Sequence, residues 1–535
     1  MSELASESMG TARTAHAATE RQRGSGMSGP TIVISPAPTA NGDLHLGHIA
    51  GPFLAADVYT RYARAVGREV LFGSGVQDTS TFVTTTAHRL GTTPEALIRR
   101  SAKEVEATLG ALGIAVDGFT GWESRFTTFV ARFVRELYDL RRLEPRPMTF
   151  PYLPRTGEFL VDGHVAGACP VCLEESCAGL CEGCGHPVAA AELLDPRSTR
   201  YPDEPLEFRT AVVLVLPLER YRVQLRAHFA GLVATLRPHP ARLLAELLSS
   251  RLPDFPVTYP ISWGIPVQGG EFGGQVINPN AESAAWTMYC ATVAAERRGG
   301  NPEAEDALCR RESGARIAYF LGADNIYPFA IVAPALMLAH GDRYALPKMF
   351  LTNEFYELDH EKFSTSRGHV VWGRELAARV PRDLTRFHLA DDSPEFQRTS
   401  FNERALAERT GARLVDPWNR VADKVDAWVG RGPLAVSPRA RELSARIVER
   451  FTAAYELPGF SLNRVARTVT RQLIRLAATA EEGGDFCQQV DVVLRCAAPI
   501  LIDLAAVLPD TGITGAADRT HIEPLRLPRL SRVGG

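Results

Sequence analysis

PTANGDLHLGHIAG, Pro38 to Gly51, sets two histidines one helical turn apart around a glycine, just after an apolar run gives way to polar residues. Upstream, Thr31-Ile32-Val33-Ile34-Ser35 is β-branched and apolar, the composition of a strand buried on both faces of a parallel sheet. Downstream, apolar residues recur at helical spacing from Leu46 through Ile49, Phe53, Leu54, Val58 and Tyr62 to Val66, and Gly67 is the stop. Glu69-Val70-Leu71-Phe72 then reads as a second strand. Strand, crossover helix and strand make a βαβ unit, the opening of a Rossmann-type doubly wound parallel sheet in an α/β protein. Ligands of such sheets sit at the carboxyl ends of the strands.

At the start of that helix, unpaired N–H groups and the helix dipole attract anions, so His45 and His48 stand where a phosphate would be held. Gly47 between them lets a flat base or sugar come close to the backbone. A lone HxxH is more often an ordinary pair of helix-start histidines, and only the rest of the chain tips the balance.

With 535 residues the chain exceeds one ordinary core, so two to four domains are expected. Hydrophobic content of 45% and charged content of 23% exclude a disordered chain, and no stretch is long and apolar enough to span a bilayer, so no membrane partner is expected. The first thirty residues are rich in Ser, Thr, Ala and Gly without an apolar signal core, which predicts a disordered tail and a cytoplasmic protein. The net charge of −3 gives no global sign of nucleic-acid affinity, so such a partner would need a local basic face.

Five of nine cysteines lie between Cys169 and Cys184, a density that fits metal ligands in a reducing compartment better than disulfides. Cys169-Pro-Val-Cys172 and Cys181-Glu-Gly-Cys184 supply four thiolates, enough to close a tetrahedral, structural Zn²⁺ site with no open position. Cys177 is then a bystander. The plainer alternative is four unrelated buried cysteines.

HLGH, preceded by PAPTANG, resembles the nucleotide signature of class I aminoacyl-tRNA synthetases, and EKFSTSRGH from Glu361 resembles the second signature of that class. The two occur in order, about three hundred residues apart. The resemblance implies ATP with Mg²⁺ as the nucleotide, with His45, His48 and Lys362 as catalytic groups on phosphate oxygens. It further implies Gly47, Ser364, Thr365 and Ser366 on ATP and Asp324, in GADN, near the ribose. YLPRTGEFLVDGHVAGACPVC, SWGIPV, FLGADNIYPFAIVAPALML and APILIDLAAVLPDTG are similar to the methionyl branch, over roughly Ile32 to Gly512.

The implied organisation is a tail over 1–30, a Rossmann catalytic domain in halves 31–130 and 241–345, and a connective insert over 131–240 with a zinc knuckle at about 165–188. A signature-loop and stem-contact region follows over 346–400, then an anticodon-binding-like α-helical bundle over 401–520 and a tail over 521–535. Helical periodicity over Ser437 to Thr452 and Leu462 to Ala477 agrees with that ending. Arg464, Arg467, Arg471 and Arg475 fall on one stripe of the second segment, by default a solvated face, alternatively a contact for tRNA backbone.

The resemblance breaks at the amino-acid pocket, whose expected residues are Ala37, Pro38, Gln77, Asp78 and Phe329. Where the methionyl family has GTDEHGT this chain has GVQDTST, so Gln77 replaces the aspartate that clasps the substrate ammonium and Thr79 the histidine, with Asp78 beside them. Ala37 and Thr39 replace larger residues, the family's Trp and Tyr would fall within NPNAESAAWTM, and its His lands at Phe329. Thr365 stands for a second lysine in the later signature. The expected activity is a methionyl-type ligase that forms an aminoacyl-adenylate and charges tRNA. Two alternatives stay open: a paralogue that hands another amino acid to a small-molecule acceptor, and a binding protein without catalysis. The sequence does not name the amino acid.

Overall fold

The computed structural model describes residues 29–121, 123–363 and 369–534, with Lys362 as backbone only. Thr31–Ile34 (β1), Val70–Gly75 (β2), Gly118–Thr120 (β3), Arg316–Gly322 (β4) and Met349–Asn353 (β5) form one parallel sheet in the order β5-β4-β1-β2-β3. In β1, Ile32 lies opposite both Ile317 and Leu71, and all four residues are buried. Side chains alternate across a strand, so Ile32 and Ile34 enter one hydrophobic cluster and Val33 the other. The chain steps outward from β1 to β3 on one side and returns to put β4 on the other. The topological switch therefore lies between β1 and β4, and a crevice opens above their carboxyl ends.

The crossover differs from the single helix expected over Leu46 to Val66. A short turn at Leu46–His48 widens into a π turn at Ile49–Phe53, and only Leu54–Ala65 (α1) is regular. Pro52 has no N–H to give, and Gly51 leaves helical geometry at φ −90°, ψ −108°. Ser35 Oγ donates to the Pro52 carbonyl at 3.2 Å, and a Cβ on Gly51 would lie 2.4 Å from Asn353 Nδ2. The bend thus lets the end of β5 press against the crossover. The second strand also runs on through Gly73 to Gly75, because a Cβ at Gly75 would meet the Thr120 carbonyl oxygen at 1.9 Å and only glycine fits there.

Between β3 and β4 the chain builds a separate antiparallel sheet. Glu144–Leu153 pairs with Glu207–Pro217, which also pairs with Asp254–Pro256, past the insert boundary expected at 240. The cysteine-bearing hairpins sit on this lobe with their own small core. Gly163 N donates to Thr81 Oγ1 at 2.9 Å and His164 Nε2 lies 2.7 Å from Thr84 Oγ1, which fixes the lobe to the helix Thr81–Arg89 after β2. Ser283–Arg297 (α2) packs beneath β2 and β3.

Arg382–Asp391 (α3), Asp416–Asp426 (α4), Pro438–Tyr455 (α5), Leu462–Ala478 (α6) and Gly483–Ala497 (α7) make the helical half. Ser437 and Ser461 cap α5 and α6 by accepting from Ala440 N and Arg464 N, both at 3.1 Å. Arg464, Arg467 and Arg471 are exposed, but Arg475 turns inward and donates to Gln489 Oε1 at 2.8 Å, so the stripe has three solvent members. The segment expected as a tail over 521–535 is tied down. Trp418 Nε1 donates to the Pro528 carbonyl at 2.8 Å, and Asn419 exchanges two bonds with Leu530, both at 2.9 Å. Residues 1–28 of the first expected tail lie outside the described residues. Among the described residues no helix is long and apolar enough to cross a membrane.

The two halves meet at Arg386, whose guanidinium donates to Asp57 on α1 at 2.6 Å with both side chains 1% exposed. It also donates to the carbonyls of Leu112, Pro499 and Ile500. Removing one partner of a buried pair leaves a stranded charge, so Arg386→Met is expected to lower stability by about 3–5 kcal/mol, read from the midpoint and slope of urea unfolding.

Candidate active site

His45 is held in extended backbone at the head of the crossover, and its Nδ1 accepts the Gly47 N–H at 3.1 Å. A Cβ on Gly47 would lie 2.9 Å from the His45 ring and 3.3 Å from Phe363, so this position accepts only glycine without displacing either. The rings of His45 and His48 are 3.9 Å apart. Burial pushes the His48 imidazole down to about 4, against a smaller upward pull from Glu182 in the cysteine lobe, so it is neutral near pH 7. Its Nδ1 is buried with no hydrogen-bond partner among the described residues. A neutral ring with a spare nitrogen suits a group that meets an anion through a hydrogen bond.

The region expected to carry the second signature lies alongside. Phe363 stacks on His45 at 4.8 Å and 10°, the Lys362 backbone pairs with Glu357, and His45 bridges to Trp372. Leu46 N donates to the Val371 carbonyl at 3.1 Å, and Gly373 N to that of Leu44 at 2.9 Å. Backbone that follows the signature and the Phe363 ring within it therefore both bear on the HLGH turn. Ser364, Thr365 and Ser366 lie outside the described residues, as does the Lys362 side chain.

Behind the histidines, at the ends of β1, β2 and β4, is a cleft of about 580 Å³, its open mouth included. Ala37, Gln77, Asp78 and Phe329 line it together. Pro38 acts through its carbonyl, which accepts Gln77 N at 2.8 Å and so sets the Gln77 position. Asp324 follows β4 in the turn Ala323–Asn325, whose Asn325 also lines the cleft. The residue that sequence reasoning missed is Glu282, from the turn that enters α2. Its Oε2 accepts Thr79 Oγ1 at 2.9 Å, and burial, with the Asp78 charge adding to it, raises its carboxyl well above the usual carboxylate range. The signal lay in NPNAESAAWTM, where Glu282 is the one charged residue of the stretch.

The Sγ atoms of Cys169, Cys172, Cys181 and Cys184 all lie within 4.8 Å of one another, with Cys169 to Cys184 at 3.8 Å and Cys172 to Cys181 at 3.6 Å. Tetrahedral Zn–S bonds of about 2.3 Å would place sulfurs about 3.8 Å apart, so the cage fits Zn²⁺. Cys177 stands outside it. The lobe also reaches the cleft region, since a Cβ on Gly185 would lie 3.7 Å from the Ala323 carbonyl.

A family model described as tRNA synthetases class I (M) matches residues 31–425. The methionine--tRNA ligase of Roseiflexus sp. (strain RS-1) is 32% identical over 471 residues, 83% of this chain and 77% of that protein. The methionine--tRNA ligase of Thermomicrobium roseum is 29% identical over 500 residues, 89% of this chain and 84% of that protein. A crystal structure of Mycobacterium tuberculosis methionyl-tRNA synthetase bound by methionyl-adenylate shares the fold, with a TM-score of 0.69 over 94% of this chain and 99% of that chain at 17% identity.

Two outcomes are expected. Protein purified without chelator carries about one zinc per chain by elemental analysis, and Cys184→Ser lowers that occupancy. The His48 ring resonance stays at its neutral position as pH falls through 6.5 and moves only near 4. Because the folded-state value is depressed, the unfolded chain takes up this proton first, and the stability His48 contributes above pH 6.5 is lost as pH falls towards 4.

Proposed function

From a chain that belongs to the tRNA synthetases class I (M), we propose an ATP-dependent ligase that activates an amino acid as its aminoacyl-adenylate and transfers the acyl group to tRNA. The observation that carries this reading is the meeting of two sequence motifs some three hundred residues apart, with Phe363 stacked on His45 and the Lys362 backbone beside them. A nucleotide would lie over the HLGH turn, with Gly47 admitting the adenine and Asp324 near the ribose. His45, His48 and Lys362 would take phosphate oxygens, with Ser364, Thr365 and Ser366 as further ATP-binding residues and Mg²⁺ accompanying the ATP.

In the first step a carboxylate oxygen of the amino acid attacks the α-phosphorus in line and pyrophosphate leaves. No general base is needed, because the carboxylate is already ionised. Positioning and charge stabilisation therefore supply the rate. In the second step a 3′-terminal hydroxyl of tRNA attacks the acyl carbonyl and AMP leaves. The relatives support tRNA as the acceptor over a small molecule, and the spare nitrogen of His48 favours a catalyst over a binding protein. Exposed Arg464, Arg467 and Arg471 on α6 offer cations to the RNA backbone.

The experiment is amino-acid-dependent ATP–pyrophosphate exchange. His48→Ala is expected to reduce exchange by about 10²- to 10³-fold, the scale of one lost transition-state contact, with the circular dichroism spectrum unchanged. Exchange at the wild-type rate would place the nucleotide elsewhere.

A further inference from the structure

The cleft contains two carboxyl groups, whereas the backbone of an amino acid brings a single ammonium. Asp78 and Glu282 both line it and both are 4% exposed. Glu282 Oε2 is satisfied by Thr79 Oγ1, while Glu282 Oε1 is buried with no hydrogen-bond partner among the described residues. Gln77, Asn280, Ser283 and Asn325 add neutral polar groups to the same wall, and Trp286 and Phe329 give flat apolar faces for an aliphatic stem. A thioether or alkyl side chain seated here would exclude water from the orphaned oxygen and offer it nothing. A donor at the end of the side chain would complete it, and a buried acceptor left unmade discriminates strongly between ligands.

We propose that Glu282 is a specificity-determining residue of the aminoacyl-adenylate reaction. It receives a hydrogen-bond donor at the end of the substrate side chain, so the amino acid activated carries an amine, amide or hydroxyl there in place of a thioether. This rests on the adenylate-forming reading above. Burial beside Asp78 raises the Glu282 carboxyl, so a cationic donor such as an amine, which restores its charged form, is the partner that best turns the orphaned oxygen into a met acceptor.

The test uses the full chain, with calorimetric binding and ATP–pyrophosphate exchange measured over ornithine, lysine, glutamine, homoserine, methionine and norleucine. At least one of the first four is expected to bind more tightly than methionine and to exceed it by about tenfold or more in kcat/KM. Glu282→Leu is expected to remove that advantage by weakening donor-ended substrates about tenfold or more relative to methionine. Where Glu282→Leu does not fold, the near-isosteric Glu282→Gln is expected to lose affinity for ornithine and lysine relative to glutamine. Wild-type preference for methionine or norleucine overturns the proposal and leaves the adenylate reading intact. An equal loss across all six in the variant places Glu282 on the shared ammonium and also overturns it. Binding selectivity for a donor-ended side chain without exchange overturns the adenylate reading and leaves Glu282 only as the residue that selects the bound side chain; neither binding nor exchange removes both.

Discussion

One buried guanidinium joins the sheet to the helices. Arg386 sits where α1, the turn at Leu112 and the carboxyl end of α7 converge, and it serves an acid and three carbonyls that no water reaches. An apolar contact there would be indifferent to rotation, whereas five fixed donors admit one arrangement. The constraint passes to the site, because α1 continues from the HLGH turn and α3, which carries Arg386, follows the backbone at 371–373 that grips that turn.

The histidine turn is in this sense assembled from three directions. β1 delivers it, the segment around Phe363 and Trp372 clasps it, and the cysteine lobe leans in from outside with Glu182 close enough to influence His48. Each contact is modest. Together they keep the neutral His48 ring beside His45 and its stacked phenyl ring, which lowers the reorganisation needed when an anion arrives.

How much of this was legible depended on how local each signal was. β1 announced itself because a β-branched run with three consecutive apolar residues needs no partner to be recognised, and the two CxxC pairs did so because thiolate spacing is itself the chemistry. The helices α5 and α6 were readable from their apolar periodicity over Ser437 to Thr452 and Leu462 to Ala477 for the same reason. The π turn was not, because Gly51 and Pro52 acquire their meaning from Asn353, three hundred residues on. Arg475 looked like a surface residue because its partner Gln489 belongs to the next helix. Glu282 was passed over because the resemblance drew attention to what was missing from that stretch. Folding brought a different acid to the same cleft.

The closeness of the cysteine lobe to the cleft has a consequence of its own. Most walls of the site derive their rigidity from hydrocarbon packing, which every folded copy possesses equally. The segment of Glu182 and Gly185, which stands beside His48 and Ala323, derives its rigidity from four thiolates arranged to share a metal ion. Copies of the same chain can therefore differ in what stands beside His48, according to whether they have acquired that ion, and a population sampled before loading is complete would contain two kinds of surroundings for that ring.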